Sequence, residues 1–172
     1  IANYGNASIN NCEFKNTLYS LTHLIYNNKQ KTQSQMNISN SIFNNLTGVN
    51  IFNKATLNID NCRIQNIRSG SSIIENQEML DLTNNKILDC HDVSYIIDNK
   101  GKLTVNNNLF KNTSDGFSVI NINGSNKSVV SRNIFDSHEG LDSTIHITKS
   151  KETIINYNTF TNNKIELKPG GK

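Results

Sequence analysis

The sequence predicts an all-β chain folded as a parallel β-helix (solenoid), a single domain over residues 1–172 with about seven rungs of 21–25 residues and three short strands per rung. Three observations carry this expectation: an internal repeat, a composition rich in β-branched residues and Asn, and the parity of the apolar positions. The repeat comprises ASINNCEFKN (7–16), MNISNSIFNN (36–45), LNIDNCRIQN (57–66), LDLTNNKILD (80–89), LTVNNNLFKN (103–112), SVVSRNIFDS (128–137) and TIINYNTFTN (153–162), aligned without gaps. Its large apolar member is Phe14, Phe43, Ile64, Ile87, Phe110, Phe135 and Phe160, at spacings of 29, 21, 23, 23, 25 and 25. The chain contains 32 Asn, 22 Ile, 17 Ser and 13 Thr, one Pro and no Trp. A disordered segment would be poor in β-branched residues, so this composition favours strands.

The first strand of each rung is placed on an Ile column six residues before the repeat: Ile1, Ile51, Ile74, Ile97, Ile122 and Ile147, with Gln30 in the second rung. The second strand follows from Leu103 and Val105, two apart and so on one face. Phe110 lies five beyond Val105, so the alternation slips by one and requires a turn at Asn106-Asn107 before the third strand. A helix fails because no i, i+3, i+4, i+7 apolar stripe persists. Propeller blades need about 40 residues, and leucine-rich repeats need another Leu spacing. Like residues then stack rung on rung about 4.8 Å apart, giving a rod about 34 Å long. Three polar columns fall at turns: Cys12, Ser41, Cys62, Asn85, Asn108, Asn133, Asn158; then Asn16, Asn45, Asn66, Asp89, Asn112, Ser137, Asn162; then Asn3, Asn53, Asn76, Asn99. An Asn amide is both donor and acceptor, so stacked copies can bond one another along the rod and satisfy turn backbone.

A net charge of +3 with 18% charged residues gives no basis for a nucleic-acid partner, and no apolar run is long enough for a membrane-spanning helix. Cys12 and Cys62 share a column two rungs apart, about 9.6 Å, beyond the reach of a disulfide at about 7 Å. With Cys90 in another column, all three read as buried free thiols. No spacing of Cys and His suits a metal, and no cofactor is expected. The strongest candidate for a metal or acid–base edge is Asp92, Asp115 and Glu139 beside His91, His138 and Asp142, weighed against ordinary solvated turns. The outward positions of the third strand are Glu13, Ile42, Arg63, Lys86, Leu109, Ile134 and Thr159, and no carboxylate neighbours Arg63 or Lys86. Lyase chemistry needs a base beside a cation, so no catalytic residue is assigned there. Binding candidates are Tyr19, Tyr26, Lys29 and Lys31, on or beside a polar insertion at 27–35, and an apolar patch at Leu109 and Ile134. Six Asn-x-Ser/Thr sequons are about what this composition yields by chance, so glycosylation stays open.

The segments LTVNNNLFKN and MNISNSIFNN, with the lead-in IDNKGKLTVNN, resemble the Asn-rich adhesin-like surface proteins of methanogenic archaea, which carry right-handed β-helix repeats. Chlamydial-type outer-membrane repeats are similar in kind, but their Gly-Gly-Ala-Ile element is absent here. The lead-in recurs as IANYGNASINN at the start, so the chain begins partway through a rung and reads as a fragment of a longer repeat protein. The resemblance implies an extracellular or cell-surface, non-enzymatic scaffold whose partners are a cell-surface protein or glycan and further rungs of the parent chain. Two alternatives stand beside it: a polysaccharide-acting enzyme of lyase or epimerase type, and a purely structural stalk.

Overall fold

The structure, a computed structural model, describes residues 1–17, 23–29, 34–48, 51–68 and 70–165. Three parallel sheets wind around one core. The first sheet runs from Ala2–Asn3 to Ile145–Thr148 through seven strands, and the second from Asn6–Asn10 to Thr153–Asn156 through seven. The third runs from Glu13–Thr17 to Thr159–Thr161, with Lys164–Ile165 added beside it as an eighth strand. Each strand pairs with the equivalent strand one turn on, so the chain forms a solenoid of seven levels, numbered here by the Phe column.

That column is in the expected register: Phe14, Phe43, Ile64, Ile87, Phe110, Phe135 and Phe160 pair level on level. Phe43, Phe110 and Phe135 are buried, and rings stack at 4.8–5.0 Å, the strand spacing itself. The two end members are open, Phe14 half-buried and Phe160 48% exposed, because neither has a described level beyond it. Leu57, Leu80 and Leu103 in one column, and Ile59, Leu82, Val105 and Val130 in the next, complete the core from the second sheet.

The first-sheet column differs from expectation in two places. Ile25, not Gln30, pairs with Ile51, and the insertion falls between strand residues Asn27 and Gln35. At levels 6 and 7, Ile120 and Ile145 continue from Ile97, whereas Ile122 and Ile147 stack over Asn99. The two residues that lengthen each of these rungs are taken up after the strand, in the turns at Gly124 (φ 78°) and Lys149 (φ 52°); glycine adopts such a conformation without strain.

The Asn residues do more than stack. Asn3, Asn27, Asn53, Asn76 and Asn99 form one buried ladder at the corner of the first and second sheets, each amide donating to the next Oδ1 at 2.6–2.8 Å. At the second–third corner the backbone N–H of Cys62, Asn85, Asn108 and Asn133 donates to the Asn Oδ1 one level on, at 2.8–2.9 Å. In the lower levels the Ser41 hydroxyl and Cys62 thiol take that acceptor role. The sharp corners also need left-handed backbone. Asn11, Asn40, Asn61, Asn84 and Asn107 hold φ of 50–58° at one corner, and Asn16, Asn45, Asn66, Asp89, Asn112, Ser137 and Asn162 hold 53–59° at the bend of the third sheet. Asn tolerates this region better than other residues with a Cβ. Beyond the second column of corners the third strand continues as a new arm, reaching Lys86–His91, Leu109–Gly116 and Ile134–Gly140.

All three cysteines are free, as expected, but Cys12 is exposed and only Cys62 and Cys90 are buried. Cys12 lies at level 1, where its outer side has no described neighbour.

Candidate functional site

At the lower end of the rod the first Asn ladder separates two features. Asn27 points inward, so Tyr26 points out, and strand pairing places it beside Phe52. Their rings are 5.6 Å apart and parallel within 2°. His23 lies 4.6 Å from Phe52 and 5.9 Å from Tyr26, Tyr4 lies 6.2 Å from Tyr26, and Lys54 Nζ sits 5.1 Å over the Phe52 ring. On the other side of Asn27, the chain leaves the strand and Lys29 reaches Glu78 at level 4 (3.7 Å). Beneath it is a polar cleft of about 450 Å³ lined by Asn6, Lys29, Ser34, Gln35, Thr56 and Glu78. Tyr26 and Lys29 were read from the sequence; Tyr19 and Lys31 lie outside the described residues. Tyr4, His23, Phe52 and Glu78 were not. The parity of Ile51-Phe52-Asn53 carried a usable signal for Phe52.

The outward face of the third sheet has the expected columns. Arg63 bonds Gln65, Glu13 pairs with Lys15 (3.0 Å), and Lys111 pairs with Asp136 (3.0 Å). The Asn162 amide, with Lys111, holds the Asp136 carboxyl down at about 2. Leu109 is half-buried below Ile134, which is 45% exposed. Leu88 belongs to the neighbouring column, between Gln65 and Lys111.

The edge at Asp92, Asp115 and Glu139 is not a ligand cluster. Among the described residues, no three His, Cys, Asp or Glu converge on a point where a metal could sit. Arg68 takes Asp92 at 2.8 Å, Ser114 Oγ donates to Asp115 at 2.5 Å, and Glu139 stands exposed above Ser114. His138 is turned inward above Cys90 and Thr113, with Nδ1 2.9 Å from Thr113 Oγ1 and a buried Nε2 without a partner. Burial pushes its pKa below the ordinary value. The arm beyond the bend runs at its own parity, so His91, Ser114 and Glu139 share the outward column, and Arg68 stands one level below His91. An arginine therefore stands at this edge. His91 Nδ1 lies 2.7 Å from Ser114 Oγ, within hydrogen-bond distance. His146, between Ile145 and Ile147, is partly exposed and paired with Asp142 at 2.6 Å.

Among the described residues, no helix is long and apolar enough to cross a membrane. Comparison with protein families finds a match over residues 73–170, more than half of the chain, to the family described as the right-handed beta helix region. Comparison with curated proteins and with solved structures finds no match.

Proposed function

Because the chain belongs to the right-handed β-helix family, we propose that it is a non-enzymatic, adhesin-like scaffold, extracellular or displayed on a cell surface, that binds a glycan at its lower end. The observation that carries this reading is the outward ring group of Tyr4, His23, Tyr26 and Phe52 beside the polar cleft of Lys29 and Glu78. Binding sites pair apolar ring surface with a few placed polar groups, and a sugar presents both an apolar C–H face and hydroxyls. The rungs hold both features on a rigid frame, which keeps the entropy cost of binding low. The test is a panel of immobilised neutral and acidic glycans probed with the wild type, Y26A/F52A and K29A/E78A. At least one glycan should bind the wild type and lose tenfold or more of its affinity in both variants. Binding that survives both sets of changes, or a wild type that retains no glycan, counts against this site; the second result favours a structural stalk.

One observation favours a polysaccharide-acting enzyme instead. His91 and Arg68 supply a base and a cation on adjacent levels of one outward column, with Asp92 alongside. That reading predicts unsaturated-sugar absorbance from acidic polysaccharides, lost in H91N. The scaffold reading predicts none.

A further inference from the structure

Two neighbouring surface columns change character between levels 5 and 6, and an apolar pair on a third column lies beside them. At the corner of the second and third sheets, the left-handed position is Asn through level 5, then Arg132 (φ 55°) and Tyr157 (φ 56°). The outward column of the second sheet is Ser8, Asn37, Asn58, Asp81 and Thr104, then Val129 and Ile154. On the third sheet the outward column runs Ile42, Arg63, Lys86, Leu109, Ile134 and Thr159, so the pair Leu109 and Ile134 at levels 5 and 6 adjoins the other two columns. Stacking requires none of these changes, and the corner backbone disfavours two of them, since Arg and Tyr fit the left-handed region less well than Asn. The result is a patch that wraps the corner. Tyr157 is 78% exposed, Ile134 45% and Ile154 38%, and the Arg132 guanidinium lies 5.7 Å from the Tyr157 ring centroid. Among the described residues, no carboxylate forms an ion pair with Arg132.

We propose that this corner is a protein-docking surface, distinct from the lower cleft, whose occupant is a partner segment carrying an Asp or Glu side chain between aliphatic or aromatic residues. The carboxylate would meet Arg132, and the apolar side chains would cover Tyr157, Ile134 and Ile154. Tyr and Arg within an apolar surround are the residues that carry most binding energy at protein interfaces. An unneutralised cation at the centre selects the sign of the partner.

The test is a random 12-residue peptide library displayed on phage and panned on the wild-type chain, with light scattering in parallel. Two variants accompany it. R132N/Y157N restores the residue found at levels 1–5, so it should melt at or above the wild-type temperature, and lost binding then cannot be attributed to misfolding. R132E reverses the charge. The expected result is enrichment of peptides with Asp or Glu beside apolar residues, binding at least tenfold more weakly to R132N/Y157N, and a shift to Lys- or Arg-bearing peptides on R132E. The proposal is overturned if no peptide is enriched, if enriched peptides lack an acid, or if they bind R132N/Y157N equally. It is also overturned if the wild type only self-associates, because the occupant is then a second copy of this chain.

Discussion

Replacing Asn108 with Leu keeps the branched shape but removes every polar atom from one step of the inner ladder. Asn108 Oδ1 accepts the backbone N–H of Asn85 at 2.8 Å, and Nδ2 donates to the carbonyls of Leu82 (2.9 Å) and Asn106 (3.1 Å), with the residue only 2% exposed. With Leu, the Asn85 N–H has no acceptor and the two carbonyls each lose a donor. One orphaned buried donor costs about 1–3 kcal/mol, and the lost carbonyl bonds raise the total to about 3–5 kcal/mol. Asn108→Ser is the informative comparison. At level 2 the Ser41 hydroxyl already accepts the Cys12 N–H (3.1 Å) and donates to Ser39 O (2.8 Å). The serine variant should therefore keep the acceptor and cost about 1–2 kcal/mol, for the Leu82 bond and some lost packing. Equilibrium urea unfolding measures both variants, and hydrogen exchange at the Asn85 amide reports the step directly. In the Leu variant that amide should exchange faster than in the Ser variant. Equal stability of the two variants would refute the view that the column is held by hydrogen bonds rather than by shape.

Phe110→Ala removes a ring that is 1% exposed and stacked 4.9 Å from Phe135, and should cost about 3–5 kcal/mol in the same unfolding assay. An unchanged midpoint would place the ring outside the core. Thiol titration should find three reactive groups in the denatured, unreduced chain and only Cys12 reacting readily in the native one, because burial raises the Cys62 thiol and pushes Cys90 up to about 12. A denatured count of one would mean that a disulfide forms. Burial depresses the pKa of His138, so as pH falls the unfolded chain takes up this proton before the folded one. Its neutral form thus gives full stability above about pH 6.5, and that contribution declines as pH falls through the unfolded value towards the depressed folded one. Thermal melts over pH 4–8 should show this loss in the wild type and a smaller loss in H138Q. Parallel pH curves for the two would sink the assignment.

The third-sheet columns, the Phe stack and the separation of the cysteines were legible in the sequence, because a gap-free ten-residue repeat puts equivalent residues one strand spacing apart whatever lies between the copies. The position of the extra residues was not. A rung of 25 rather than 23 can lengthen on either side of its Ile, and only pairing with Ile97 shows that Ile120 and Ile145 carry the column and that the turns at Gly124 and Lys149 absorb the difference. Asn27 escaped notice for the same reason: the insertion shifts its number, and only its bonds to Asn3 and Asn53 identify it as a ladder member. Side-chain direction was the second thing left to the tertiary structure. Each left-handed corner restarts the in–out alternation, so counting by twos cannot be carried across Ser137. Sequence proximity grouped His138 with Glu139, yet the arm beyond the bend turns His138 into the core and leaves Glu139 outside. The contact between Arg68 and Asp92 joins residues 24 apart, and their meeting depends on the pitch of the solenoid. The sequence by itself determined which residues of the ten-residue repeat share a column, since those copies align without gaps. Which way each column faces, and which columns meet at a corner, was decided by hydrogen bonds between levels.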